Sequence, residues 1–249
     1  MTSSTRECLV HLKRPHEHQH NFIRSLAKRR IVRAGRRSGK TTGVAILSVE
    51  AFLQGKRVLY AAPVADQIQR WWKEVVTALR EPIAAGLYKK NETEKTIELP
   101  YTEQRLKGKT AFNADTLRGD YADLLILDEF GLMNEDAWEV IGAPMTMDRD
   151  GDAVFIYTPP SFRTAGISKA HDKRHAAKMF LAAQADTTGR WAAFHFSSHD
   201  NPHISRQALG EITNDMTALA YRQEILAEDL EDDPSALWKR TYFLYKVLL

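Results

Sequence analysis

A short string near the N-terminus constrains this chain more than any other feature. Residues 34–41 read Ala-Gly-Arg-Arg-Ser-Gly-Lys-Thr, the pattern of a phosphate-binding loop in which Ala34 replaces the usual first glycine. Residues 30–33 predict a short strand before it, and the apolar spacing of residues 41–52 predicts a helix after it. A loop between a strand and a helix aims its backbone N–H groups at phosphate oxygens. The string therefore predicts a nucleotide site.

Each residue type in this loop has its own expected role. Gly35 and Gly39 are expected to permit close approach, because a Cβ at either position would crowd a phosphate. We expect Lys40 to neutralise the β- and γ-phosphate oxygens and the Thr41 hydroxyl to bind Mg²⁺. The residues of this loop expected to bind ATP are Gly35, Arg36, Arg37, Ser38, Gly39, Lys40, Thr41 and Thr42.

A second string supplies two acids. Residues 124–129 read Leu-Leu-Ile-Leu-Asp-Glu, an apolar run typical of a strand buried on both faces. Ligands bind at the carboxyl ends of such strands in open α/β sheets. We expect Asp128 to hold Mg²⁺ through water and Glu129 to polarise the attacking water as general base. Alone, the pair is also compatible with a strand cap; after the phosphate loop, it favours a P-loop NTPase.

The remaining pattern predicts an α/β fold with a mainly parallel sheet flanked by helices, because strand-like runs alternate with helical periodicity. The further elements expected are helices at 15–28, 65–81, 168–183, 205–214 and 216–228, strands at 56–62, 153–157 and 191–196, and hairpin-like strands within 96–112. A length of 249 residues suits one large domain with a small appendage. We expect an ATPase core at 1–200 and a helical linker or lid at 201–249.

Composition restricts the setting. No apolar stretch approaches the ~20 residues that span a bilayer, and a single cysteine, Cys8, suits a reducing cytoplasm. The net charge is only +3, yet residues 1–40 carry eleven Lys and Arg against two acids. A second basic stretch is compatible with contact to DNA and equally with a solvated charged surface; it comprises Lys89, Lys90, Arg105, Lys107 and Lys109.

Two further residues are candidates for the nucleotide edge. Thr158 follows the strand after Asp128, where a hydroxyl would sense the γ-phosphate; the alternative is a strand merely ended by Pro159. Arg118 lies in a loop beside Gly119, where it would reach the γ-phosphate of a neighbouring subunit or form an ordinary surface salt bridge. The paired Trp71 and Trp72 favour core packing over stacking on DNA bases.

The order of these motifs resembles the ATPase domain of the large terminase subunit of tailed phages, the motor that pumps DNA into proheads. The resemblance runs from Pro15 to about residue 240. Residues 15–19 resemble the adenine-reading segment, with Gln19 as its glutamine, and residues 36–41 resemble the arginine-bearing Walker A motif of the family. Residues 61–67 are similar to the segment after the second strand in terminases and helicases.

The resemblance also implies roles for residues in the second half of the motor. Leu117-Arg118-Gly119 matches the trans-acting arginine finger, and Thr158-Pro159 matches the coupling motif. Lys107-Gly108-Lys109 matches a basic loop directed at DNA. Residues 200–202 and 221–228 resemble the linker or lid that leads out of the motor.

The function implied by the resemblance is an ATP-hydrolysing, Mg²⁺-dependent motor that translocates double-stranded DNA. Its expected partners are DNA, a portal protein, the small terminase subunit and further copies of itself in a ring, with no membrane. Its expected location is the host cytoplasm, transiently docked on the prohead. The alternatives are a helicase-like DNA-dependent ATPase and a non-catalytic nucleotide-binding component of a packaging complex.

One departure from the family is large. Full large terminases carry a C-terminal nuclease, whereas this sequence ends at Leu249, about where that domain begins. The acidic run at 228–233 lies in the expected helical linker, and we interpret it as a solvated face rather than a nuclease metal site. We therefore expect no nuclease domain and no DNA cleavage by this chain. The histidine pairs His16/His20 and His171/His175 lack an evident third ligand, which disfavours zinc.

Overall fold

The computed structural model describes residues 7–111, 114–160 and 168–230. At its centre lies a sheet of eight strands, which are β1 (Arg29–Ala34), β2 (Arg57–Ala62), β3 (Lys89–Asn91), β4 (Thr96–Glu98), β5 (Arg105–Thr110), β6 (Leu124–Asp128), β7 (Asp152–Tyr157) and β8 (Trp191–Phe196). Their order across the sheet is β3-β4-β5-β2-β6-β7-β1-β8. Neighbours from β5 to β8 pair in parallel, and β4 pairs antiparallel with both β3 and β5 at one edge. The predicted α/β fold is thus confirmed.

Helices cover both faces of this sheet. They are α1 (Glu17–Arg24), α2 (Lys40–Leu53), α3 (Ala65–Ala78), α4 (Arg80–Ala84), α5 (Ala143–Met145), α6 (His175–Gln184), α7 (Arg206–Asn214) and α8 (Ala218–Ala220). Two π-helical segments, Ala137–Gly142 and Tyr221–Ile225, adjoin α5 and α8. The longest helices, α2 and α3, have 14 residues each, and no helix in the described ranges has the length and hydropathy to cross a membrane.

Three predicted helices have different bounds for identifiable reasons. The helix predicted at 15–28 is only α1, because His16 and Gln19 form a capping box that starts it and Ser25 leaves it in an extended conformation. The helix predicted at 65–81 ends at Ala78, because Pro82 has no N–H to donate to the Ala78 carbonyl. The segment predicted as one helix at 216–228 is α8 followed by the second π-helical segment.

The helix predicted at 168–183 begins late, at His175. Residues before His175 form hydrogen bonds with Leu132 and Glu135. The Glu135 carboxylate accepts hydrogen bonds from the backbone N–H groups of His171 and Asp172, and Lys169 N–H donates to the Leu132 carbonyl. These contacts hold residues 169–172 against the segment at 132–135 instead of in a helical turn. Of the other predicted elements, the hairpin-like region reached Phe112 and the linker continued to Leu249; residues 112–113 and 231–249 lie outside the described residues.

The core has two halves, one on each face of the sheet. On one face α1, α2 and α3 pack on the even-numbered side chains of β6 and their neighbours, and this half includes Trp71 and Trp72, which are 0% and 2% exposed. The other half packs α6 and the helical region 130–145 on the opposite side chains. The predicted core role of both tryptophans is confirmed.

Strand register brings the motif-bearing strand ends to one edge. Arg33 of β1 pairs with Tyr157 of β7, and Asp128 of β6 pairs with Ile156 of β7. The residues that follow these strands therefore emerge side by side at the carboxyl edge, as parallel pairing requires. This edge holds the loop after Ala34, the acids after Leu127 and the turn after Tyr157.

We predict that replacing Phe22 with Ala destabilises the fold by about 3–5 kcal/mol. Phe22 is fully buried, lies against Gly43 of α2 and stacks on Phe196 at the end of β8. Chemical denaturation checks this, with Leu26→Ala as control, because Leu26 is 99% exposed. A Phe22→Ala midpoint equal to that of the control would contradict the packing described here.

Candidate nucleotide site

The Lys40 ammonium is buried at the centre of the carboxyl edge. Its Nζ donates to the carbonyls of Ala34 and Gly35, each at 3.0 Å, and to the Thr158 hydroxyl at 2.6 Å. Burial lowers the pKa of Lys40, and the nearby Glu129 and Asp128 carboxylates oppose that shift. The lysine therefore joins the phosphate-loop backbone to the end of β7 through one atom.

The loop between β1 and α2 requires glycine at two positions because neighbouring protein atoms leave no space for a Cβ. Gly39 has φ of +93°, and a Cβ there would lie 2.6 Å from the side-chain amide nitrogen of Gln19. A Cβ on Gly35 would lie 2.4 Å from the Ile225 carbonyl oxygen and 2.7 Å from Ser198 Oγ. Besides the predicted crowding of a phosphate, a Cβ at either position would therefore collide with the protein itself.

Gln19 braces this loop. Its Nε2 donates to the Gly39 carbonyl at 2.7 Å, its Oε1 accepts from the His16 N–H at 2.9 Å, and it is 3% exposed. His16 lies within hydrogen-bonding distance of the Ser38 carbonyl, 3.0 Å from Nε2. The predicted adenine-reading residue thus contacts the phosphate loop through its amide nitrogen and the start of α1 through its amide oxygen.

Asp128 is held in place by groups on both sides. Its Oδ2 accepts from the Tyr60 hydroxyl at 2.5 Å, and its Oδ1 accepts from the Glu129 N–H at 2.9 Å. Burial raises the pKa of Asp128, while the Tyr60 hydrogen bond and the Lys40 charge oppose the rise. Tyr60 stacks on Trp71 with ring centroids 4.5 Å apart.

Glu129 projects from a strained position next to Asp128. Its φ is +53°, in the left-handed region that non-glycine residues rarely adopt. Burial raises the pKa of Glu129; the Lys40 charge and a hydrogen bond from the Thr158 N–H oppose this, while Asp128 adds to it. Thr158 therefore touches both Lys40, through its hydroxyl, and Glu129, through its backbone.

The predicted loop arginine Arg36 is engaged by the C-terminal segment. Its guanidinium pairs with the Glu224 carboxylate, and its N–H donates to the Glu224 carbonyl at 2.6 Å. The carbonyl of Arg37, which has φ of +57°, accepts from Asn201 Nδ2 at 2.7 Å. Ser38 Oγ is a buried hydroxyl that finds no hydrogen-bond partner among the described residues. Thr41 and Thr42 follow in the first turn of α2.

Three of the predicted residues lie near one another, with Arg118 in a loop and Lys107 and Lys109 on a strand rather than in the expected basic loop. Arg118 is exposed and its Nε donates to Asp115 Oδ1 at 2.6 Å. Lys107 and Lys109 lie on β5, where both ammonium groups contact Asp120, at 3.1 and 2.7 Å. The structure therefore places the two candidate DNA-binding lysines against the loop of Arg118.

Sequence reasoning missed Tyr60, Glu224 and Asp120. Tyr60 reads as one more strand residue, and its contact with Asp128 follows only from the pairing of β2 with β6. Glu224 was included in the lid resemblance without a role. Asp120 follows Gly119 in the string that drew attention to Arg118, but its contacts with the basic residues of β5 follow only from the fold.

A parallel sheet with a glycine-bearing loop before α2, a buried lysine and two acids on an adjacent strand end defines a P-loop NTPase. A family model for the terminase large subunit ATPase domain matches residues 22–176, more than half of the chain. The chain belongs to the ATPase-domain family of the large terminase subunit.

Individual terminase large subunits are also similar to this chain. The terminase large subunit of Thermus virus P23-45 is 29% identical over 166 residues, covering 59% of this chain and 34% of that protein. The corresponding protein of Thermus phage G20c is 29% identical over 172 residues, again 59% of this chain and 34% of the relative. The chain thus spans about a third of the length of these relatives.

Solved structures share the fold. The large terminase ATPase domain of Thermus phage P74-26 superposes with a TM-score of 0.66 at 24% identity, covering 87% of this chain and 94% of that one. The large terminase of bacteriophage HK97 gives a TM-score of 0.69 at 17% identity, covering 90% of this chain and 53% of that one.

We predict that Gly35→Ala destabilises the protein by about 1–3 kcal/mol, because the new methyl would force the loop away from Ile225 and Ser198. Limited proteolysis should show faster cleavage within residues 221–229, the segment that covers the loop. The matched control is Gly210→Ala in α7, where nothing lies within 4 Å of the added Cβ and Ala favours the helix. Equal thermal midpoints for the two variants would contradict this account of Gly35.

Proposed function

We propose that this chain is the ATP-hydrolysing motor subunit of a viral DNA-packaging terminase and that it translocates double-stranded DNA into the prohead. The observation that carries the proposal is the contact of Thr158 with both Lys40 and Glu129. It links the residue that would bind the phosphates, the residue that would activate water and the strand end that leads out of the site. A change in the nucleotide would reach β7 through this one residue.

The residues suit ATP as substrate. Lys40 would exchange its carbonyl partners for β- and γ-phosphate oxygens, with the amides of residues 35–41 around it. The Ser38 hydroxyl, which has no hydrogen-bond partner among the described residues, and the exposed guanidinium of Arg36 offer further donors at the loop. Gln19 and Arg37 shape the loop, Gln19 by its bond to Gly39 and Arg37 by its left-handed backbone, and Thr42 follows Thr41 at the start of α2.

A divalent cation also fits this donor set. Asp128 is a buried carboxylate at the strand end, and Thr41 offers a hydroxyl from the first turn of α2. These two residues would hold Mg²⁺, which when bound neutralises charge on the β- and γ-phosphate oxygens. The hydrogen bond from Tyr60 would keep the Asp128 carboxylate in one orientation.

Hydrolysis would be carried by Glu129, and its transition state would be stabilised from the next subunit. The raised pKa of Glu129 suits a general base, and its strained backbone aims the carboxylate into the Lys40 region. Arg118 is exposed and lies outside this chain's own site contacts, as a finger acting on a neighbour would require. Thr158 would report loss of the γ-phosphate, since its hydroxyl and N–H contact the groups on either side.

The cellular setting follows from the same proposal. The motor would act as a homo-oligomeric ring in the host cytoplasm, docked on the prohead, with the portal protein and the small terminase subunit as partners. Lys107 and Lys109 would contribute to the basic surface near DNA. DNA cleavage is not part of the proposed activity of this chain.

Steady-state ATPase activity with and without duplex DNA tests the proposal. We expect turnover that rises with protein concentration and with blunt duplex, and stimulation that weakens with salt because phosphate contacts release counterions. Strand separation would instead indicate a helicase-like ATPase. Nucleotide binding without turnover under every condition would indicate an assembly component and would overturn the proposed motor.

We predict that Glu129→Gln keeps nucleotide binding and lowers turnover by about 10²–10⁴-fold, because the amide cannot accept a proton from water. Fluorescent-nucleotide binding and phosphate release measured on the same samples separate the two effects. Glu50→Gln is the matched control, since Glu50 pairs with Arg24 away from the site. Normal turnover in Glu129→Gln would remove Glu129 from the proposed role.

We predict that Tyr60→Phe raises the Mg²⁺ concentration for half-maximal turnover by about tenfold or more, because it removes the donor that orients Asp128. A Mg²⁺ titration at saturating ATP measures the shift. Tyr88→Phe serves as control, because Tyr88 packs on Phe52 away from Asp128. An unchanged titration in Tyr60→Phe would show that Asp128 is oriented without the hydroxyl.

A further inference from the structure

Arg118 is bracketed by two buried side chains. Leu117 is 0% exposed and belongs to the core half that packs α6 on the sheet, and the Asp120 side chain is 7% exposed. Between them the Arg118 side chain is 60% exposed, and Gly119 turns the backbone with φ of +78°. Between the buried side chains of Leu117 and Asp120, the loop thus exposes two residues, Arg118 and Gly119. The loop therefore presents the Arg118 guanidinium to solvent between two buried residues.

The buried group after the turn is a carboxylate surrounded by three cations of one strand. Asp120 Oδ1 lies 2.6 Å from Arg105 Nη2, and Asp120 Oδ2 lies 3.1 Å from Lys107 Nζ and 2.7 Å from Lys109 Nζ. The three cations occupy alternate positions of β5 and so share one face of the strand. The residues between them face the other way: Leu106 is buried in the core, and Gly108 lies against α3.

Burial alone would raise the pKa of Asp120, but hydrogen bonds from Lys109 and Lys107 outweigh it and hold the pKa at about 2. The Asp120 carboxylate is therefore ionised near neutral pH. Its removal would leave three like charges on one strand face with their shared counter-charge gone. Asp120 thus supplies the shared counter-charge of this face of β5 from the loop that carries Arg118.

We propose that Asp120 is the positioning residue for Arg118, tying the loop to the Arg105–Lys107–Lys109 face of β5 so that the guanidinium is presented to a neighbouring subunit. This inference rests on the proposed function, in which Arg118 acts in trans. It also gives Lys107 and Lys109 a structural role, because they bind Asp120 and so hold the loop that carries Arg118. Asp115 pairs with Arg118 itself, whereas Asp120 acts on the backbone that carries it.

The first test is subunit mixing. We expect Asp120→Asn to bind ATP as the wild type does and to lose turnover by at least tenfold, a fraction of the 10³–10⁵ that isolated arginine fingers contribute. Mixing Asp120→Asn with Glu129→Gln should restore activity, because the Glu129→Gln subunit donates a well-placed Arg118 to an intact site. Mixing Asp120→Asn with Arg118→Ala should restore none, because neither subunit donates a placed arginine.

Matched variants make this result specific. Asp120→Glu keeps the charge and should recover part of the turnover. Asp150→Asn removes an exposed acid that pairs with Lys28, far from the loop, and should behave as wild type. The inference is overturned if Asp120→Asn turns over normally, if it loses ATP binding, if Arg118→Ala retains full activity, or if the mixture with Arg118→Ala is the active one.

A second measurement does not depend on turnover. Hydrogen exchange of the Arg118 and Gly119 amides should be at least several-fold faster in Asp120→Asn than in wild type, with no change in residues 35–41. Unchanged exchange in the loop overturns the anchoring role whatever the activity. If the wild-type chain hydrolyses no ATP, the proposed function fails by itself, and the exchange result still decides whether Asp120 fixes the loop.

Discussion

The arrangement of this site depends on one buried ammonium. A cation removed from water is costly unless hydrogen-bond acceptors surround it, and Lys40 has three, from Ala34, Gly35 and Thr158. These acceptors belong to the end of β1, the phosphate loop and the turn after β7. All three must converge on one nitrogen, so the pairing of β1 with β7 is a condition of the site as well as of the sheet.

The C-terminal segment is tied to the same strand ends. Asp229 Oδ2 accepts from Arg33 Nη1 and from the Tyr157 hydroxyl, each at 2.8 Å, and so bridges β1 and β7. Five residues earlier, Glu224 holds Arg36 by side chain and backbone. Residues 221–229 therefore cover the phosphate loop, and the collision expected for Gly35→Ala shows how little space separates the two. A motion of the loop must be accompanied by a motion of this segment.

How much the sequence could predict depended on how local each feature was. The loop at 34–41 and the acids at 128–129 were readable because strand, turn and side-chain chemistry lie within a few consecutive residues. Tyr60 and Asp120 were not, since their partners are 68 residues away in one case and arranged on a separate strand in the other. The helix predicted at 168–183 failed for a similar reason: a distant carboxylate, Glu135, captures the backbone that would have begun it.

Two kinds of contact at the carboxyl edge differ in whether they can rearrange without repacking of the core. Tyr60, Trp71 and Ser48 join Asp128 to α3 and α2 by a hydrogen bond, a ring stack and another hydrogen bond, all within the packed core. Close-packed interiors shift between discrete arrangements rather than deforming continuously, so this chain of contacts fixes Asp128. Lys40–Thr158 and Arg36–Glu224 are instead polar contacts around the phosphate loop, and Arg118–Asp115 is one at the surface. Under the proposed function, a polar partner there would be exchanged for a phosphate oxygen without repacking of the core. Under the proposed function, a response to nucleotide would begin with those polar exchanges, and the core would supply the fixed frame against which they act.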